Sequence, residues 1–205
     1  MHRPTKIASL FAGLTLTVIA AGCGGDKADG GNENEVITTV TLTFTPAGGG
    51  PAVVASVDDP DGDGGNPPVV GPINLTAGMF DLAVAFENKL EKPPVKITDE
   101  ISDERDEHQI FFTGTAVNGP ASNQPGAALI QAYADMDAKG LPLGLADKIT
   151  ASPGTGTLTV TLRHLPPVNN MAVKVPGLTD AVRSQGFSTI GGSTDAQVSF
   201  PVTVQ

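Results

Sequence analysis

The chain of 205 residues has 22 acidic residues against 12 lysines and arginines, a formal net charge of −10 at pH 7. This excess of negative charge is repelled by phosphate backbones and by anionic membrane surfaces, which excludes nucleic-acid binding as a function. The length is enough for one domain with a substantial hydrophobic core, and a single cysteine excludes a disulfide within the chain.

The first element in chain order has the features of a secretory signal. Arg3 and Lys6 are followed by a largely apolar run over residues 7–21 and then by small residues. A basic start, a short apolar core and small residues at the end are typical of a cleaved signal peptide. The run spans about 15 residues, whereas a membrane-spanning helix needs about 20. We therefore predict a signal peptide over residues 1–22.

Cys23 follows the predicted signal directly. The segment IAAGC, residues 19–23, resembles the lipobox of bacterial lipoproteins, in which the matching cysteine is acylated and becomes the new N-terminus. The resemblance implies a lipid anchor in a membrane. Because Gly24 stands where an aspartate would favour inner-membrane retention, it further implies the outer membrane, on its periplasmic or its surface-exposed face. The alternative is an ordinary signal peptide followed by an unmodified cysteine. Residues 23–35, rich in glycine and acidic residues, then predict a flexible tether.

Alternation of apolar and polar side chains dominates residues 36–205 and is typical of half-buried strands. It is clearest over residues 35–45, 79–88, 156–164 and 196–205, and weaker over residues 52–58, 109–116, 127–134 and 145–150. We therefore predict an all-β domain over residues 36–205, an antiparallel, immunoglobulin-like β-sandwich of about eight strands. Pro201 lacks a backbone donor, which predicts an edge strand or a bulge at that position.

Two segments predict short helices between the strands. Residues 96–109 are rich in acidic residues and place Ile97 and Ile101 four positions apart, with Thr98 or Asp99 as a cap. Residues 176–187 begin near Thr179, a second candidate cap, and end at Gly186.

An acidic loop follows the second predicted strand. Asp59, Asp61 and Asp63 with Gly64 form the pattern D-x-D-x-D-G, which presents several carboxylate oxygens of the kind that Ca²⁺ binds. An EF-hand would need a glutamate at the twelfth position, where Val70 stands, so that type of loop is excluded. The hypothesis is a calcium loop of another type, and the alternative is a solvated turn. A weaker match to this pattern, at Asp135, Asp137 and Gly140, predicts a hairpin turn.

Glu104 and His108 are four residues apart, so on a helix they would share one face. A carboxylate and an imidazole on one face predict a site for a transition-metal ion, while the alternative is an ordinary solvated acidic face. His164, beside Arg163 at the end of a predicted strand, is interpreted as a structural histidine rather than a ligand.

No nucleophile elbow, zinc-protease motif, phosphate loop or dinucleotide-binding glycine pattern occurs in the sequence. The sequence therefore predicts a protein that is not an enzyme. The leading hypothesis is an outer-envelope lipoprotein that serves as a binding or accessory module for a solute, a metal ion or a membrane-protein partner. The alternative is a structural or adhesive surface module without a small ligand. Calcium is the one cofactor that the sequence indicates.

The whole chain also resembles a known family. The segments that carry the resemblance are EVITTVTLTFTPAGGG, DPDGDGG, ITDEISDERDEHQIFF, DMDAKGLPLGL, GTGTLTVTLRHLP and GGSTDAQVSFPVTV. In this order they resemble a family of bacterial lipoproteins that carry the label "type 1 periplasmic binding fold superfamily protein". That label implies a solute-binding protein with two α/β lobes, whereas the residue pattern favours strands. No site residues are implied by the resemblance.

Overall fold

The structure, a computed structural model, describes residues 35–62 and 65–205. The predicted signal peptide, the acylation of Cys23 and the tether before Glu35 lie outside these residues and stay predictions. Among the described residues, neither helix is long and apolar enough to cross a membrane.

Twelve strands and two α-helices form in the described part of the chain. The strands are β1 (Thr39–Pro46), β2 (Val53–Asp58), β3 (Val69–Val70), β4 (Ile73–Leu75), β5 (Gly78–Asn88), β6 (Val95–Lys96), β7 (His108–Thr113), β8 (Val117–Asn118), β9 (Leu129–Tyr133), β10 (Ala146–Ala151), β11 (Gly154–His164) and β12 (Ser193–Val204). The helices are α1 (Ile97–Asp103) and α2 (Leu178–Gln185), followed by a 3-10 turn over Phe187–Thr189. The prediction of an all-β domain with few short helices is confirmed.

The strands form two sheets. The larger has the order β3-β2-β1-β5-β10-β9-β8, with β6 paired to the end of β5, and the smaller has the order β4-β12-β11-β7. All pairs are antiparallel except β8 with β9 and β4 with β12. Each sheet therefore differs from the predicted antiparallel arrangement by one parallel pair. The immunoglobulin-like sandwich stays a prediction.

The parallel pairs arise where the chain passes from one sheet to the other. The connection from β3 in the larger sheet to β4 in the smaller sheet consists of Gly71 and Pro72. The connection from β7 in the smaller sheet to β8 in the larger sheet turns at Gly114. Gly114 has φ +106°, and a Cβ there would lie 2.3 Å from the carbonyl oxygen of Thr157. Only glycine fits this conformation and this close approach to β11.

The main hydrophobic core consists of side chains from both sheets. Within the long strands the alternating apolar positions face inward, although Val36, before β1, is exposed. The inward residues include Val40, Leu42 and Phe44 of β1, Leu82, Val84 and Phe86 of β5, Leu158, Val160 and Leu162 of β11, and Phe200, Val202 and Val204 of β12. A smaller core lies on the opposite face of β7 and β11, where Phe111 and Leu165 pack with Leu178 and Val182 of α2. The strand β7 is therefore buried on both faces.

Pro201 lies in a strand that has neighbours on both sides, because β12 runs between β4 and β11. The pairing with β4 begins only at Val202, so Pro201 has no partner residue in β4. The strand β12 is therefore not the predicted edge strand, but Pro201 itself has a neighbour on one side only, which accommodates its missing donor.

Neither predicted helix cap is formed. The helix α1 begins after Lys96 without a side-chain cap, and Thr98 instead accepts a hydrogen bond from the Phe86 amide (2.7 Å) and donates one to its carbonyl oxygen (3.1 Å). These two bonds attach α1 to β5. The helix α2 begins after Gly177 rather than at Thr179, and it ends at Gly186 as predicted.

Candidate metal centre

Two stacked histidines lie at one end of the main core. His108 opens β7 and His164 closes β11, and the antiparallel register places them directly opposite each other, beyond the pair formed by Ile110 and Leu162. Their rings lie 4.7 Å apart between centroids at an interplanar angle of 6°. Because His108 shares its side of β7 with core-facing Ile110, its ring points between the sheets, and its side chain is 0% exposed.

A β-bulge brings Asp195 to this end of the core. In the pairing of β11 with β12, Leu162 lies opposite Ala196 and Arg163 lies opposite Thr194, so Asp195 is the extra residue. A bulge reverses the direction of the side chains beyond it. The Asp195 side chain is thereby 1% exposed, with one carboxylate oxygen 4.0 Å from His108 Nε2.

Arg163 stabilises the chain leading into the bulge. Its guanidinium donates to Thr194 Oγ1 (2.6 Å) and to the carbonyl oxygens of Gly191 and Gly192 (both 2.7 Å). Gly192 has φ +77°, and a Cβ there would lie 2.0 Å from the carbonyl oxygen of His164. Glycine at this position therefore permits the close approach of β12 to the end of β11.

The third member of the group is Glu35, the first described residue. Its Oε1 lies 3.4 Å from His108 Nε2. Glu35, His108 and Asp195 each offer one ligand atom, and these three atoms lie within 4.8 Å of one another. On the other side of the ring, His108 Nδ1 is 3.2 Å from the backbone carbonyl oxygen of Glu104. A proton on Nδ1 that is donated to this carbonyl leaves the Nε2 lone pair free for a ligand.

Most polar atoms of this group have no hydrogen-bond partner. His108 Nε2, Glu35 Oε2 and both carboxylate oxygens of Asp195 are buried and unpartnered. Burial raises the pKa of Asp195, and the nearby charge of Glu35 raises it further. Burial pulls the pKa of His108 down, but the contact with Glu35, the charges of Glu35 and Asp195 and the Glu104 carbonyl oxygen together outweigh burial, so the pKa lies above its usual value. Both shifts reflect a strongly negative, poorly solvated site.

The predicted pair Glu104 and His108 comes together, but not on a helix. The helix α1 ends at Asp103 and His108 starts β7, so the turn between them brings Glu104 Oε2 to 4.0 Å from His108 Nδ1. With His164 these residues form a second group of possible ligands. His164 Nε2 itself lies 3.9 Å from Glu107 Oε2. Metal binding through Glu104 stays a prediction.

The predicted calcium loop is described only in part, since Asp63 lies outside the described residues. Asp61 accepts hydrogen bonds from the amide and the side chain of Asn66, at 3.3 and 2.6 Å, as in a local turn. Asp59 instead lines a cavity together with Asp195. The calcium site formed by the three aspartates stays a prediction.

Asp135 and Asp137, the aspartates of the weaker match to the calcium-loop pattern, accept backbone hydrogen bonds within their own loop. Asp137 Oδ1 accepts from the amides of Lys139 and Leu141 at 2.8 Å, and Asp135 accepts from those of Gly144, Leu145 and Ala146. These bonds agree with the predicted turn, which an isolated bridge between Met136 and Pro142 closes.

Sequence reasoning missed two of the three residues around His108 Nε2. Glu35 was assigned to the tether, although it directly precedes an alternating segment and packs against the domain. Asp195 has the outward parity of β12, and only the bulge turns it inward. No family model, curated protein or solved structure matches the chain. The function is therefore argued from the site itself.

Proposed function

We propose that this protein is a lipid-anchored protein of the outer envelope whose β domain binds a divalent transition-metal ion through Glu35, His108 and Asp195. The lipid anchor and the compartment come from the resemblance of residues 19–23 to a lipobox. The role is binding rather than catalysis, and the metal ion is the bound cargo or the element through which a partner is recognised.

The observation that carries the proposal is the environment of His108 Nε2. This nitrogen is fully buried and has no hydrogen-bond partner, while an oxygen of each of two carboxylates lies within 4.0 Å of it. Leaving a buried polar atom unpaired is destabilising by about 1–3 kcal/mol, and more for charged groups. A divalent cation would ligate the nitrogen and neutralise both carboxylates at once.

The spacing of the ligand atoms suits zinc or a similar ion. Two ligands, each about 2.1 Å from a tetrahedral zinc ion, lie about 3.4 Å apart. The distance from His108 Nε2 to Glu35 Oε1 is 3.4 Å, and Asp195 at 4.0 Å needs only a small movement. One imidazole with two carboxylates leaves a fourth position open for water or another ligand. The hydrogen bond from Nδ1 to a backbone carbonyl is the usual support of a ligating histidine.

The raised pKa of His108 agrees with this assignment. The negative charges of Glu35 and Asp195 stabilise a proton on His108, and they would stabilise a metal ion in the same way. Metal binding would therefore displace that proton. In the absence of metal, Glu35 and Asp195 repel each other, as the raised pKa of Asp195 reflects. An arrangement that is unfavourable without its ion is expected of a binding site rather than of a purely structural core.

Zinc titration of the purified, metal-stripped protein by calorimetry tests the proposal. We expect one zinc ion per chain, and we expect Asp195→Asn to weaken the affinity more than about 100-fold, because it removes a direct ligand. The matched control is Glu104→Gln, an equal change of charge on the Nδ1 side of His108, which should retain zinc binding. In the metal-free state Asp195→Asn should melt no lower than the wild type, because it relieves repulsion with Glu35.

Two results would contradict the proposal. Failure of the folded wild-type protein to bind zinc, cobalt or copper would show that the cluster is only an internal ion pair. Loss of zinc in Glu104→Gln with retention in Asp195→Asn would place the ion in the other group, with Glu104 and His164.

A further inference from the structure

A cavity lies beside Asp195. It has a volume of about 220 Å³ and opens between the start of β1, the end of β2 and β12. Asp195 lines it and also belongs to the proposed metal centre, so the two sites are adjacent. Asp59, at the other wall, is held by its backbone amide, which donates to the Thr38 carbonyl oxygen at 2.7 Å.

Both carboxylates have oxygens that are buried and unpartnered. These are Oδ1 of Asp59 and both oxygens of Asp195. The Asp195 side chain is almost fully buried, at 1% exposed. No lysine, arginine or histidine of the described residues lines the cavity. Arg163 of β11 donates to the backbone and to Thr194 at the bulge. Within the described part of the chain, Asp59 therefore has no cationic neighbour in the cavity lining, whereas Asp195 has His108 Nε2 at 4.0 Å on the side of the metal centre.

The remaining walls are mostly apolar. Aliphatic surface comes from Ile37, Val40, Val57 and Val198. The small side chain of Ala196 occupies little of the space at its part of the lining. Small-molecule sites usually combine such a lining with a few polar groups that fix orientation. A ligand that fits this cavity has a short aliphatic body and a positively charged end.

We propose that this cavity binds a small primary ammonium compound, with the ammonium group on Asp59 and the aliphatic body against the valines. An ammonium group has three donors and no acceptor, which matches unpaired carboxylate oxygens. When a metal ion occupies the neighbouring centre, Asp195 ligates it and Asp59 remains as the acceptor. The site is thus separate from the proposed metal function, although the two share a wall.

The test uses 3-methylbutylamine and its neutral counterpart, 3-methylbutan-1-ol, as probes for the purified protein, both metal-stripped and zinc-loaded. Calorimetry and methyl NMR should show saturable amine binding in both forms, with shifts of the Val57 and Val198 methyl signals. The alcohol should bind at least about tenfold more weakly, because it lacks the charge-assisted bond.

Variants separate the amine site from its neighbours. Asp59→Asn should weaken amine binding about tenfold or more while retaining zinc affinity. The control Asp61→Asn makes the same change of charge in the same loop, outside the cavity lining, and should leave amine binding unchanged. Ala196→Leu retains Asp59 but narrows the cavity, so it should also weaken amine binding. Equal affinity for amine and alcohol, or unchanged amine binding in Asp59→Asn, would overturn the proposal whatever the zinc result.

Discussion

Between about pH 4 and about pH 8 the wild-type protein should lose stability relative to an Asp147→Asn variant, by up to about 1.4 kcal/mol per pH unit. Asp147 is buried in β10 at 1% exposure, and its Oδ1 accepts a hydrogen bond of 2.7 Å from the side chain of Gln131. Burial, reinforced by the charge of Asp135, raises its pKa from 3.8 to about 8.

The direction follows from proton uptake. Below about pH 4 both the folded and the unfolded chain bind the proton, whereas between about pH 4 and about pH 8 the folded chain binds it and the unfolded chain releases it. Stability contributed by the protonated carboxyl is therefore lost as the pH rises through this interval. Asparagine at this position has no proton to lose and can still accept from Gln131.

Denaturant unfolding of both proteins at several pH values in this interval measures the effect. The control is Asp81→Asn, which removes an exposed carboxylate on the neighbouring strand β5 that pairs with Lys148. Its difference from the wild type should have no such slope. A difference between wild type and Asp147→Asn that does not change with pH would show that Asp147 is ionised in the folded protein.

Replacing Lys174 by methionine should lower the free energy of unfolding by about 3–5 kcal/mol. The Lys174 Nζ lies 3.0 Å from Asp137 Oδ2, both side chains are 0% exposed, and the amine also donates to the carbonyl oxygen of Arg105 at 2.7 Å. Without the lysine, the Asp137 carboxylate stays buried opposite an apolar side chain. Burial lowers the pKa of Lys174, although the Asp137 carboxylate acts against this.

The same substitution should disturb the candidate metal centre. Arg105 belongs to the turn between α1 and β7, which carries Glu104 and leads directly into His108. Because Lys174 connects this turn to the loop that contains Asp137, its loss should weaken zinc binding as well as stability. Unfolding in denaturant and zinc calorimetry below the melting temperature measure the two effects separately.

Two controls accompany the Lys174 prediction. Lys148→Met breaks the exposed pair with Asp81 and should change stability by about 0–1 kcal/mol. The double variant Lys174→Met with Asp137→Asn removes the uncompensated charge and should recover part of the lost stability. A Lys174→Met variant as stable as Lys148→Met would rule out the buried pair as a support of this region.

Much of the fold could be predicted because alternation is a local property. In β1, β5, β11 and β12 the side chains that the pattern turns inward, such as Leu42 and Phe200, do face the core. The helix stop at Gly186 was predicted for a similar local reason. The predicted cap of α1 does not form, because Thr98 accepts a hydrogen bond from the amide of the distant residue Phe86 instead of one from its own helix.

Of the three residues that form the proposed metal centre, only His108 was predicted from the sequence. His164 was interpreted as structural because nothing local indicates that the register of β7 and β11 stacks it on His108. Asp59 was singled out for its spacing to Asp61, whereas its cavity partner, Asp195, lies far away in sequence on β12. A short sequence motif cannot predict contacts between residues so distant along the chain.

The sequence by itself determined the all-β class, the inward residues of the long strands, the acidic character and the expectation of a lipid-anchored, exported protein. These properties depend on composition and on neighbours along the chain. Only the tertiary structure decided which carboxylates meet His108, because a bulge of a single residue in β12 reverses the direction of Asp195. Side-chain direction in a strand has a period of two, so one extra residue moves a side chain from solvent to the interior.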